Sequence, residues 1–356
     1  MNGTTFGAQI QLRLRDEERL DLEVPDGQGG HSRVPVPPSK VRQMFDGLAE
    51  ELPRIYAQIE GPLPGEMTAE FPYQTPITAL SSRVPSEVLE ALEEVANRAP
   101  GVLPVLLLAE QDPFPWELVR PRPDSRMLGQ MFDVARFDGE CTGTSIDVSG
   151  ILVIAPVPLR PDLCEVLQGT FRDQHTAVTK HFPEAQCHLL DCVTATRAES
   201  LNQMRSDARR VVHYMGHHFH NDIDPGKSVL QLAGGEGLSP LDVEEEFKGA
   251  PINPKWPWVF LNCCRGLAPQ LGNPFEHGRP QWGTTLRTVG AYTTIGPYWR
   301  VEKSESFFPA QQFSQFVLEE GSTLGAALRR IRAQPRPPTM LAYTMVGDPT
   351  TTVRLA

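Results

Sequence analysis

From about residue 102 the sequence alternates short apolar runs of strand length with amphipathic stretches of helix length. The runs are VLPVLLL (102–108), GILVIAPV (150–157), QCHLLD (186–191), RRVVHYMG (209–216), SVLQLA (228–233), WVFLNCC (258–264) and VGAYTTIG (289–296). Between them the pattern predicts helices over 163–181 and 196–207 and a short helix opened by Ser239 with Pro240 at its first position. It also predicts a helix from about 305 to 320 stopped by Gly321, and a last one near 323–332. Strands that alternate with helices need a crossover between neighbours. The expected fold class is therefore α/β, with a mostly parallel central sheet flanked by helices.

The first hundred residues read differently. They are broken by VPDGQGGHSRVPVPPSK (24–40) and IEGPLPGEMTAEFPYQTP (59–76), which have the Gly and Pro content of loops. AQIQLRLR (8–15) alternates as a strand does, and SEVLEALEEVANRAPG (86–101) opens on a capping Ser86 and ends near Gly101. These features predict a small N-terminal α+β extension over 1–101, ahead of the main domain at 102–356.

Hydrophobic residues make up 40% and charged residues 22% of the 356, enough apolar material for a sizeable core. The net charge of −11 argues against nucleic acid and anionic membranes as partners, because both are held by clustered Lys and Arg. No run of about 18 apolar residues is present, and the N-terminal residues lack the order of a signal peptide. Six cysteines, two of them adjacent at Cys263 and Cys264, do not make a disulfide framework; the expectation is a cytoplasmic protein.

In open α/β sheets ligands bind beyond the carboxyl ends of the strands. Two of the runs end there in reactive side chains: VVHYMGHHFHND (211–222) delivers His217 and His218 after His213 and before His220, and WVFLNCC delivers Cys263 and Cys264. Three chemistries compete for so much imidazole. A zinc site is suggested by the i, i+4 spacing of His213 and His217, but VVHYMG reads as a strand, along which four residues span about 13 Å, too far for one metal. A second reading makes the histidines partly core and partly surface. The third pairs an imidazole base with a cysteine nucleophile, whose free thiol, with a pKa of about 8.5, needs such a neighbour to attack a carbonyl at neutral pH. Successive strand residues point to opposite faces, so one of the two cysteines can face the histidine while the other packs beneath. The pattern alone leaves open which.

At LNCCRG, with HYMGHH ahead of it, the sequence resembles the caspase-like cysteine peptidases, whose signature Q-A-C-[RQG]-G has its histidine about 50 residues upstream. It is most similar to their CHAT-domain branch. DPFPWELVRP (112–121) is similar to that family's PWEL segment, and residues 296–332, from GPYWRVEK to ALRRIR, follow its Trp, helix, Gly, Ser, Ala-Leu pattern. MLAYTMVGDPT (340–350) is similar to its terminal Y-x-x-x-GDP segment. The resemblance implies a caspase-like sandwich in which Cys264 is the nucleophile, His217 the base, and the backbone amides of His218 and Cys264 the oxyanion site. Glycine normally follows the family's catalytic histidine; here that position is His218. Asn262, two residues before the nucleophile, would wall the primary substrate pocket, and Trp299 would contribute to it. Asp222 and Asp224, in the loop after His220, are acids that could meet a basic substrate side chain. No metal and no cofactor are implied. The expected partners are a protein substrate and an activating or regulatory protein, in a bacterial defence or regulated-death module; the alternative is a peptidase-like scaffold that binds a partner without cutting it.

Overall fold

The structure, a computed structural model, describes residues 9–16, 19–25, 31–60, 74–98, 105–110, 112–156, 172–206, 209–221, 224–249, 256–268, 280–302, 305–334 and 339–356. In chain order the strands are β1 (Gln9–Asp16), β2 (Arg19–Pro25), β3 (His31–Val34), β4 (Val105–Leu108), β5 (Asp133–Arg136), β6 (Ser145–Val148), β7 (Gly150–Ile154) and β8 (Cys187–Leu190). They continue with β9 (Arg210–Met215), β10 (His218–Phe219), β11 (Val229–Gln231), β12 (Gly237–Leu238), β13 (Val259–Asn262), β14 (Thr293–Pro297), β15 (Tyr343–Gly347) and β16 (Thr352–Leu355). An 11-stranded sheet runs β3-β2-β1-β4-β5-β15-β14-β13-β9-β7-β8. From β14 through β13, β9 and β7 to β8 every pairing is parallel. β15 runs antiparallel to β14 and parallel to β5, and β4 and β1 follow in parallel.

Both faces of this sheet are covered. Along β7, β9 and β13 the period of two sends Ile151, Val153, Val211 and Phe260 into one core and Leu152, Ile154, Val212, Tyr214, Val259 and Leu261 into the other. That double burial is why these strands are continuous apolar runs. The predicted helices are present at Arg197–Arg205, at Pro240–Glu246 with Ser239 and Asp242 closing a capping box, and at Leu324–Arg332. The helix expected over 305–320 is α-helical at Phe307–Ser314 and widens into a π turn over Gln315–Glu319 before Gly321, whose φ of 65° ends it. Of the helix expected over 163–181, residues 172–179 are helical and 163–171 lie outside the described residues.

The extension over 1–101 continues this sheet. β1 pairs with β4 across the expected boundary, and its inward Ile10 and Leu12 enter the same core as Leu106 and Phe260. Among the strands of this sheet that were not legible as runs are β5 and β15. They meet at a buried ion cluster in which Arg136 donates to Glu117 at 2.7 Å and to Thr344 at 2.9 Å, with its other nitrogens on the carbonyls of Asp112 and Phe114. Burial pushes the Glu117 carboxyl up, but Arg136 and Arg332 outweigh it and hold the group ionised below the usual carboxylate range. The cluster ties the PWEL segment to the middle of the sheet. Among the described residues no helix is long and apolar enough to cross a membrane.

Candidate active site

β9 and β13 are adjacent parallel strands in register, with Met215 opposite Asn262. Two residues beyond that aligned pair, past the ends of both strands, stand His217 and Cys264, at one edge of a sheet whose neighbouring strands lie about 4.8 Å apart. The two turns are also tied directly: His218 Nδ1 is 3.0 Å from the Cys264 carbonyl oxygen.

Local sequence explains each turn. After β9, the Tyr214 hydroxyl lies 2.7 Å from the His217 carbonyl and 2.8 Å from that of Gln231, folding the chain back into β10 and β11. A Cβ at Gly216 would stand 2.5 Å from that hydroxyl, so glycine is needed between them. His217 is thereby left exposed. Gln231 N–H donates to the His217 carbonyl at 2.9 Å, which makes His218 and Leu230 a non-hydrogen-bonded pair of the β10–β11 ladder and leaves the His218 N–H outside it.

After β13, the chain turns at once. Cys263 is buried in the core that holds Leu261 and Leu267, whereas Cys264 is half-buried against the opposite core, with Sγ 3.8 Å from the Val301 carbonyl. Burial, and then the neighbouring Cys264, push the Cys263 thiol well above its ordinary range, so it stays protonated. Arg265 takes a left-handed φ of 58°, the one non-glycine among the described residues to do so. Gly266 follows where a Cβ would crowd Cys263 Sγ at 3.1 Å and the Leu261 carbonyl at 3.2 Å. Beneath this turn runs a cavity lined by His218, His220, Arg265, Gln281, Tyr298 and Thr344, among others.

The remaining sequence-predicted residues are placed otherwise. Asn262 is 5% exposed and its amide is spent internally: Nδ2 donates to Gln174 Oε1 at 3.2 Å and to the Ser306 carbonyl at 2.9 Å, and Oδ1 accepts from the Tyr343 hydroxyl. The side chain expected to wall a pocket is therefore buried and braces the end of β13. Trp299 is fully buried with its ring 5.3 Å from that of Tyr56, so its indole belongs to the core and only its carbonyl reaches the site, accepting from Arg265 N–H. Asp224 pairs with Lys227 at 3.1 Å in the loop after β10, and Asp222 lies outside the described residues. His213 lies within a strand, stacked on Phe260, so the helical spacing that would pair it with His217 on a metal does not apply. Among the described residues no three His, Cys, Asp or Glu side chains gather to hold a metal. Tyr343 was findable as the tyrosine of the Y-x-x-x-GDP segment; Gln174, on an amphipathic helix, carried no signal.

Among solved structures the chain is similar to the Arg-specific cysteine proteinase gingipain R, at 11% identity and a TM-score of 0.50, over 77% of this chain and 69% of that one. The fold is caspase-like. Likeness also extends to the complex of Porphyromonas gingivalis RgpB pro- and mature domains, at 10% identity and TM-score 0.47 over 87% of this chain and 77% of that. The Saccharomyces cerevisiae separase–securin complex matches at 13% identity and TM-score 0.44, over 87% of this chain and 22% of that. No protein-family model and no curated protein sequence matches the chain.

Proposed function

We propose that the protein is a cysteine endopeptidase working with His217 and Cys264. The observation that carries this reading is the level register of β9 and β13, which brings an exposed imidazole and a half-buried thiol to neighbouring turns at the carboxyl edge of the sheet. His217 takes the thiol proton, and Cys264 Sγ attacks the scissile carbonyl carbon. The negative charge that develops on the carbonyl oxygen is met by the amides of His218 and Cys264. Collapse of the tetrahedral species breaks the C–N bond, the imidazolium returns its proton to the leaving amine, and water, deprotonated by the same imidazole, then releases the thioester as a carboxylate. The resemblance to the CHAT-domain branch, with the motif order from PWEL to GDP, supports a specific protein substrate under the control of a regulatory protein, in bacterial defence or regulated death. No cofactor enters the scheme.

One observation favours the scaffold alternative: Asn262 and Trp299 are turned inward, so neither offers a side chain to a substrate. A fluorescent peptide-library digest separates the two. Cleavage by the wild type that vanishes in Cys264→Ala supports the peptidase; wild type and variant equally silent, with a partner still captured, supports the scaffold.

A further inference from the structure

We infer that the His218 side chain is a positioning residue whose Nδ1–H clamps the carbonyl of Cys264 and so fixes the turn that carries the nucleophile. The inference rests on the reading of Cys264 as that nucleophile.

The peptide unit joining Cys264 to Arg265 is held at both ends. Its carbonyl lies 3.0 Å from His218 Nδ1, on the turn after β9, and its N–H donates at 3.1 Å to the Trp299 carbonyl, just past β14. A peptide is planar, so two anchors on opposite sides fix its rotation, and with it ψ of Cys264 and φ of Arg265. That φ is the left-handed 58° of Arg265, a conformation that persists in a non-glycine residue only where surrounding contacts over-determine it. The clamp supplies such contacts. With the following peptide fixed, the Cys264 N–H and Sγ keep their directions relative to His217.

The hydrogen bond also sets the ring's tautomer. A carbonyl oxygen only accepts, so Nδ1 carries the proton and Nε2 is the bare nitrogen. Nε2 is shut from solvent with no partner among the described residues. Burial pushes the His218 pKa down to about 4, against the bond to Cys264 that raises it, which keeps the ring neutral at pH 7. A ring with one nitrogen on the nucleophile's own carbonyl and the other buried is not the base, in keeping with the proposed assignment of that role to His217. His218 thus serves the site twice, by its backbone N–H and by its ring.

The test uses the whole 356-residue chain. Nitrogen NMR of labelled histidines, with His218 assigned by its loss in His218→Asn, should report the Nδ1-protonated tautomer at pH 7. Amide exchange at Arg265 should quicken about tenfold or more in His218→Ala, because the peptide loses one anchor, and should return close to wild type in His218→Asn, whose Nδ2 can donate from a similar place. In a peptide-cleavage assay His218→Ala should lower kcat by roughly ten- to a hundredfold with KM little changed, and His218→Asn should recover most of the loss. An Nε2-protonated ring, unchanged exchange at Arg265 in His218→Ala, or no recovery in His218→Asn would each overturn the clamp. A wild type that turns over no peptide removes the peptidase reading instead, while tautomer and exchange still decide the clamp.

Discussion

At the end of β13, Asn262 and Cys263, buried on opposite faces of the sheet, form the floor of the candidate site, whereas Cys264, one residue further on, belongs to its rim. The floor is closed: Asn262 is saturated by Gln174, Ser306 and Tyr343, and Cys263 packs among Leu261, Gly266 and Leu267. The rim is held by its backbone, through the carbonyl of Cys264 and the N–H of Arg265, and leaves the thiol half-buried. Strand alternation decides on which side each residue packs, and the turn decides which of them is reached by a ligand. On the proposed reading, a signature of five consecutive letters therefore contains two kinds of residue, one acting through chemistry and one through support.

The sharpest way to break this division is at the two cysteines. Cys264→Ala should abolish peptide turnover, a loss of about a thousandfold or more, while leaving the urea midpoint nearly unchanged. Cys263→Ala should keep most of the activity and lose stability, because it empties the space that a buried sulfur fills against Gly266 and Leu261. Kinetics and urea unfolding of the two variants side by side read both axes, and equal loss of turnover in both would erase the boundary.

Trp299 tests the floor from the other flank. As a fully buried indole packed on Tyr56, it should cost about 3–5 kcal/mol of unfolding free energy when replaced by Ala. A substrate contact would instead raise KM with the midpoint intact. Trp299→Phe, which keeps an aromatic ring against Tyr56, should recover part of the stability.

How far the sequence discloses this division depends on where polar groups find partners. The strands β4, β14, β13, β9 and β7 were legible because burial turns them into apolar runs, and the site's two turns because both follow such runs directly. β5 reads DVAR, charged at both ends and so not an apolar run; Asp133 is neutralised by Arg329, 196 residues on, and Arg136 by Glu117, 19 residues back. β15 was visible only as part of a motif, and its antiparallel direction has no local signature. The burial of Asn262 was not legible for the same reason as β5: an amide is as compatible with a pocket wall as with a buried network until its partners are known. The extension over 1–101 showed one strand and one helix but not its other elements, nor that β1 would join the main sheet.

Acid separates floor from rim more gently. Burial pushes His213 down to about 3, with His175 adding to the effect, and His218 down to about 4. An unfolded histidine titrates near 6.5, so between about 6.5 and 4 the unfolded chain binds more protons than the folded one, and stability falls as pH falls through that window. Asp112, lifted to about 6 by burial in spite of Arg136, works in the opposite direction. Comparing wild type with His213→Leu cancels the Asp112 contribution. The variant should show a shallower loss of urea midpoint between pH 6.5 and 5, and equal slopes would place His213 in a more hydrated site than its stacking on Phe260 allows.

The smallest effect is expected at Tyr343, and it bears on whether Asn262 is floor or wall. Tyr343→Phe removes the hydroxyl that donates to Asn262 Oδ1 and leaves that oxygen buried, at a cost of about 1–3 kcal/mol. Asn262→Ala strands Gln174 and the Ser306 carbonyl instead. Because both substitutions break one shared bond, the double variant should lose less than the sum of the two, with a coupling of about 0.5–3 kcal/mol in a urea-unfolding cycle. Asn262→Asp should behave as a destabilised floor: a carboxylate cannot donate to the Ser306 carbonyl, so folding suffers while cleavage preference, profiled on a library randomised at the residue before the cut, stays as in the wild type. A shift toward Lys or Arg at that residue, with an unchanged urea midpoint, would turn Asn262 back into a wall of the pocket. It would require the floor to open toward substrate, with Asn262 released from Gln174 and Tyr343 when a peptide binds.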